Sequence, residues 1–143
     1  VAVVYKDEEL GRVLVLEAEP AVGIRLIPLS KYLNDYKDKR RPYKGQIAIA
    51  KLNIDLEKDK LNRGISFGLD ELARPYDNFE IVRIMMRILF HISKREKNRN
   101  YICSELVRDV LAKAGIIMQY KDTYISPDNI WTDERVQLKY RIL

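Results

Sequence analysis

Residues 100–115 carry the clearest helix signal in the chain, and they contain its only cysteine. Asn100 is a suitable N-cap, and Gly115 stands where a residue in the left-handed conformation commonly ends a helix. Apolar side chains recur between them at helical spacing and form one stripe, made by Ile102, Leu106, Val107, Val110, Leu111 and Ala114. The pattern predicts an amphipathic helix with Cys103 in its first turn and one face in a core.

Cys103 has two interpretations at this position. Unpaired backbone N–H groups and the positive end of the helix dipole favour the thiolate form of a first-turn cysteine, which would make Cys103 a nucleophile. Alternatively, Cys103 is a small apolar residue that packs on the buried face of the helix. Its position alone is compatible with both.

Length and composition restrict the fold class. A chain of 143 residues suits one domain with one core, over residues 1–143. Hydrophobic residues make up 47% and charged residues 33%, as in soluble globular proteins, and no apolar run reaches the roughly 18 residues of a membrane span. A single cysteine cannot form an intramolecular disulfide, which fits a reducing compartment but does not identify one. The net charge of +5 favours anionic surfaces, including acidic lipid, cell-wall polymer and nucleic acid.

Five segments have the apolar alternation or the β-branched composition of strands: residues 1–5, 12–19, 23–29, 46–52 and 136–142. A turn at residues 7–11 would join the first two into a hairpin, which places Glu17 close to whatever residue precedes Val1. Long helices are predicted at residues 79–95 and 100–115. Together these elements predict an α+β fold, with one antiparallel sheet of about five strands packed against helices.

Shorter helices are expected between the strands. Ser30 would cap one that runs to about residue 36. Residues 55–62 form another that Gly64 interrupts, and residues 66–73 a third. Residues 126–128, Ser-Pro-Asp, begin a turn or a short helix.

The only histidine, His91, lies in the predicted helix at residues 79–95. It shares a polar stripe with Arg83, Arg87 and Lys94, at spacings of three and four residues. A histidine among three cations is expected to point to solvent. We therefore interpret His91 as a surface residue and not as the base for the cysteine.

Residues 101–107, Tyr-Ile-Cys-Ser-Glu-Leu-Val, resemble the nucleophile motif of circularly permuted NlpC-type papain-fold cysteine hydrolases, the YiiX-like group. Other segments resemble parts of that family in the order it requires: residues 1–5, 16–18, 23–29, 74–77 and 126–128. The likeness spans nearly the whole chain. It implies a permuted papain-like fold.

The resemblance also implies an activity, that of a thiol peptidase or amidase that cleaves an amide or acyl bond. Cys103 would be the nucleophile, and Glu17 would orient a histidine and stabilise its imidazolium. In the family that histidine directly precedes the first strand, so we expect one immediately before Val1 in a complete gene product, of which this chain is a truncated part. Tyr5 and Tyr101 are candidate substrate-binding residues, with core packing as the alternative. Cell-wall peptide (peptidoglycan), acyl groups on lipids and lysine-like amines are the substrates implied.

Two other functions are compatible with the sequence. A chain without its base would be a catalytically inactive structural or anchoring module of the same fold. Basic runs at residues 37–41 and 94–99 are typical of nucleic-acid binding, but acidic residues interrupt both, so nucleic acid is the least favoured partner. No cofactor or metal is expected, because the chain has no glycine-rich phosphate loop and its one histidine and one cysteine cannot build a Cys/His zinc site.

Overall fold

A computed structural model of the chain describes residues 1–20, 22–74, 103–119 and 125–142. Its strands are β1 (Val3–Asp7), β2 (Arg12–Glu19), β3 (Gly23–Pro28), β4 (Ala48–Leu52) and β5 (Val136–Arg141). Its helices are α1 (Leu29–Asn34), α2 (Lys58–Asp70), α3 (Cys103–Lys113) and α4 (Pro127–Trp131), with a 3-10 turn at Tyr36–Asp38. Within these described ranges, no helix has both the length and the hydropathy needed to cross a bilayer.

The strands form two sheets. β1, β2 and β3 pair in that order as an antiparallel meander, in which Leu16 lies opposite Val3 on one side and Leu26 on the other. β4 pairs antiparallel with β5, with an irregularity between Ile49 and Ala50. All five predicted strands are therefore confirmed, but the predicted single sheet of about five strands is wrong for the part of the chain that the structure describes.

Helix α3 explains why the strands divide, because it has apolar side chains on two sides. Leu106 and Val110 belong to a core with residues of β2 and β3, namely Leu16, Ala18 and Ile24. Val107 belongs to a second core with Ile116, Met118, Ile125 and Ile130, and Leu52 of β4 packs against it. One continuous sheet would cover only one side of the helix. The stripe predicted as a single buried face is thus shared between two cores.

The end of α3 is as predicted. Gly115 has a φ of +86°, and the N–H of Ile116 donates to the carbonyl oxygen of Leu111 at 2.8 Å, which closes the helix. The expected cap at Asn100 and the predicted helix at residues 79–95, with His91, lie outside the described residues.

The two short helices predicted on either side of Gly64 are one continuous helix, α2. A Cβ at Gly64 would lie 2.7 Å from the carbonyl oxygen of Val110 in α3, and a Cβ at Gly68 would lie 2.3 Å from Cδ2 of Leu16. Both glycines are buried and stand one turn apart. They allow α2 to approach α3 and β2 more closely than a residue with a side chain would, so Gly64 serves packing and does not interrupt the helix.

Candidate active site

Cys103 is the first residue of α3 that the structure describes, and it lies on the wall of a cavity of about 1280 Å³. Its side chain is half-buried and also packs against the core that contains Leu16 and Leu106. The next residue, Ser104, is fully buried, and its Oγ donates a 2.7 Å hydrogen bond to the carbonyl oxygen of Ile125. This bond joins α3, beside Cys103, to the segment before α4.

The segment at residues 126–128 forms another part of the cavity wall. Ser126 caps α4: its Oγ accepts from the N–H of Asn129 at 3.1 Å, and its own N–H donates to Oδ1 of Asn129 at 2.7 Å. Pro127 and Asp128 line the cavity together with Cys103. The predicted short helix is confirmed, and the fold brings it to the cysteine.

Glu17 lines the same cavity from β2. Its side chain is buried, which is contrary to the ordinary expectation for a carboxylate at a strand end. Nε of Arg25, directly opposite on β3, donates to Oε1 of Glu17 at 2.8 Å, and NH2 of Arg25 lies 2.7 Å from the same oxygen. The hydroxyl of Tyr32 donates to Oε2 at 2.5 Å. The buried carboxylate is therefore bound by a cation on one side and by a hydroxyl on the other.

Glu17 and Cys103 line the same cavity, Glu17 from β2 and Cys103 from α3. Leu16 and Ala18 pack against α3, and because side chains alternate along a strand, Glu17 points to the opposite face.

The β1–β2 hairpin brings the start of the chain to this region. Val3 lies opposite Leu16, and Val1, Ala2 and Glu17 all line the cavity. The hairpin predicted from the sequence is confirmed.

Three tyrosines that the sequence did not single out meet at the cavity. The ring centroids of Tyr32 and Tyr36 lie 5.1 Å apart, and Tyr43 lies 4.8 Å from Tyr36 and 5.7 Å from Tyr32. All three line the cavity. The four-residue spacing of Tyr32 and Tyr36 at a predicted helix was a usable signal, whereas Tyr43 arrives through a loop whose course the sequence does not encode locally.

The charge state of this cluster follows from its contacts. Burial raises the pKa of Tyr32, and its hydrogen bond to Glu17 raises that pKa further. Burial lowers the pKa of Arg25, but the hydrogen bond and the charge of Glu17 more than offset this, so the pKa of Arg25 is raised overall. Tyr32 thus keeps its proton and Arg25 its charge across the neutral range.

Two tyrosines, Tyr5 and Tyr101, are the substrate-binding candidates from the sequence. Tyr5 is half-buried on β1, opposite Leu14, and is not one of the described residues that line the cavity. Tyr101 lies outside the described residues. Within the described ranges, no group of three or more His, Cys, Asp or Glu side chains is placed to hold a metal ion.

Comparison with known proteins supplies the family. Residues 1–137 match the family model described as permuted papain-like amidase enzyme, YaeF/YiiX, C92 family. The matched range contains Cys103, Glu17 and the segment that caps α4. No curated protein matches the chain.

Proposed function

Since this chain belongs to the permuted papain-like amidases of the YaeF/YiiX family, we propose that it is a cysteine amidase whose nucleophile is Cys103. The observation that carries the proposal is the common cavity. Its wall includes Cys103 on α3, the buried carboxylate of Glu17, and Val1 and Ala2 at the beginning of the chain. We assign the nucleophile to Cys103, the orienting carboxylate to Glu17 and the base to a residue next to Val1.

The mechanism follows the usual chemistry of thiol hydrolases. A histidine immediately before Val1 takes the proton of the Cys103 thiol, and the sulfur attacks the carbonyl carbon of the substrate. The backbone N–H of Cys103 donates to the oxyanion that forms. The imidazolium returns its proton to the leaving group, which departs and leaves a thioester, and water activated by the same histidine then hydrolyses that thioester. Glu17 accepts from the imidazole N–H and stabilises the imidazolium.

The wall of the cavity favours a substrate with an apolar part. Valine and isoleucine side chains of β1, β4 and the adjoining segments supply much of the lining, for example Val4, Ile47 and Ile49. An acyl chain or the apolar side chains of a peptide would be stabilised there because their surface leaves water. Cell-wall peptides and acyl groups on lipids, the substrates implied by the sequence resemblance, both offer such a part.

A basic loop at residues 37–44 adds a preference for negative charge. It leaves the cavity wall at Tyr36 and returns to it at Tyr43. Lys37, Asp38 and Arg40 have φ values of 55°, 56° and 50°, a conformation that is unusual outside glycine. Two ion pairs hold the loop, from Lys37 Nζ to Glu19 at 2.9 Å and from Lys31 Nζ to Asp38 at 2.6 Å.

The remaining cations of the basic loop face solvent. Its exposed side chains Lys39, Arg40, Arg41 and Lys44 make no ion pair within the part of the chain that the structure describes. A fixed loop that presents four cations beside an apolar cavity is suited to a substrate, or a surface carrying it, with an anionic group.

Charge reversal would test this role of the basic loop. We expect the triple variant Lys39→Glu, Arg41→Glu and Lys44→Glu to bind phosphatidylserine-containing vesicles roughly a hundredfold more weakly, at about 1 kcal/mol for each cation near the surface. Co-sedimentation measures this. A matched control, Lys6→Glu with Lys58→Glu and Lys139→Glu, changes the net charge equally at exposed sites outside the loop. An equal loss in both variants would contradict a specific role for the loop.

The reactivity of Cys103 tests the proposed function itself. We expect iodoacetamide to alkylate Cys103 of the full-length protein at neutral pH far faster than it alkylates glutathione, because a neighbouring imidazole and a helix start favour the thiolate. Mass spectrometry of the alkylated peptide across a pH series gives the rate. A rate that rises only near pH 8.5, about the value for a free cysteine, would contradict the proposal.

Mass analysis of the N-terminal peptide of the native protein complements this test. A histidine before Val1 is the expected result. A non-titratable residue there would remove the proposed base and would favour the alternative of a catalytically inactive structural or anchoring module.

A further inference from the structure

We propose that Tyr32 and Arg25 are positioning residues that hold the carboxylate of Glu17 in one orientation, with a single acceptor site left open for the catalytic base. The inference rests on the proposed function of Glu17 and goes beyond it, because it assigns roles to two residues that do not touch the reacting atoms.

Arg25 fixes one side of the carboxylate. Its Nε and NH2 both approach Oε1 of Glu17, at 2.8 and 2.7 Å, and NH2 also lies 3.5 Å from Oε2 of Glu19. A planar guanidinium bound to two carboxylates on the neighbouring strand has little freedom to rotate. The pair is also largely removed from solvent, which strengthens its attraction.

Tyr32 fixes the other side. Its hydroxyl donates to Oε2 of Glu17 at 2.5 Å, and its ring packs against the rings of Tyr36 and Tyr43. These aromatic contacts restrict the rotation of the Tyr32 ring and therefore fix the position of its hydroxyl. Because burial and the hydrogen bond raise the pKa of Tyr32, its hydroxyl keeps its proton across the neutral range and remains a donor there.

These contacts restrict what Glu17 can still accept. A carboxylate offers about four lone-pair sites, two on each oxygen. Arg25 occupies Oε1 with two nitrogens, and Tyr32 occupies one side of Oε2. The site left open is therefore on Oε2. A residue before Val1 that continued β1 in the same register would lie on the same face of the sheet as Glu17. An imidazole N–H from that position would donate to Oε2 of Glu17, whose orientation Arg25 and Tyr32 already fix.

The test uses the full-length protein and the pH dependence of Cys103 alkylation by iodoacetamide. We expect Glu17→Gln to lower the neutral-pH rate by about tenfold or more, and Tyr32→Phe to lower it about fivefold in the same direction, since each weakens stabilisation of the imidazolium. Arg25→Lys keeps the charge but loses the two-nitrogen contact, and it should act like Tyr32→Phe. Tyr140→Phe, which removes an exposed hydroxyl on β5, is the control and should leave the pH profile unchanged.

The outcomes separate the two ideas. If the unmodified protein shows no enhanced alkylation at neutral pH, the proposed function fails. If it does, and Glu17→Gln lowers the rate while Tyr32→Phe and Arg25→Lys leave the pH profile unchanged, the proposed function stands and the positioning role is wrong. Thermal unfolding identifies variants that do not fold. If Tyr32→Phe does not fold, the result for Arg25→Lys decides whether the positioning role is correct.

Discussion

Replacing Cys103 with alanine is expected to abolish amide hydrolysis, with turnover at least about a thousandfold lower than that of the unmodified full-length protein. Without the sulfur no thioester can form, and the cavity retains only binding and oxyanion contacts. The assay uses acyl p-nitroanilides that the unmodified protein hydrolyses. The rate of p-nitroaniline release measures the turnover of each protein. Turnover that persists in a folded Cys103→Ala variant would contradict the nucleophile assignment.

The same variant should stay folded, and this separates catalysis from stability. Cys103 is half-buried and packs only at the margin of its core, so removing one sulfur creates little empty space. The contact that fixes the start of α3 is made by Ser104, which the substitution leaves in place. Circular dichroism melts of the two proteins should therefore nearly coincide. Cys103→Ser is a second variant of similar size, whose hydroxyl is a much weaker nucleophile at neutral pH.

Gly64→Ala is expected to lower the free energy of unfolding by about 1–3 kcal/mol. The sign is the informative part, because alanine in place of glycine inside a helix ordinarily stabilises it by about 1 kcal/mol. Here the added Cβ would lie 2.7 Å from a backbone oxygen of α3, at Val110, and 3.1 Å from Cβ of Ala114. Backbone cannot rotate away as a flexible side chain can, so α2 must move from α3. Urea denaturation of both proteins measures the difference.

Ser66→Ala is the matched control for this prediction. Ser66 lies on α2 two residues after Gly64, but it is exposed. Alanine at position 66 should change the free energy of unfolding by no more than about 0.5 kcal/mol. A Gly64→Ala variant as stable as the unmodified protein would mean that the two helices can separate without cost, and the packing role assigned to the glycine would be wrong.

Local signals in the sequence were sufficient to predict most of the secondary structure and the elements that carry Cys103 and Glu17. Helical spacing and Gly115 predicted the helix α3 and its end, and alternation predicted all five strands. The Ser126 cap was readable because a helix start depends on adjacent residues. The hairpin that brings Glu17 to the start of the chain was also predicted, since its two strands are joined by a short turn.

Only the tertiary structure decided how these elements meet. The division into two sheets depends on which sides of α3 carry the buried apolar side chains. Gly64 was predicted to break a helix, and only the close packing of α2 against α3 explains why a glycine lies inside that helix. The contacts of Glu17 with Arg25 and Tyr32 join residues eight and fifteen positions away along the chain. Periodicity, caps and turns are set by neighbouring residues, whereas partners across a core are chosen by the packing of whole elements, which no local pattern encodes.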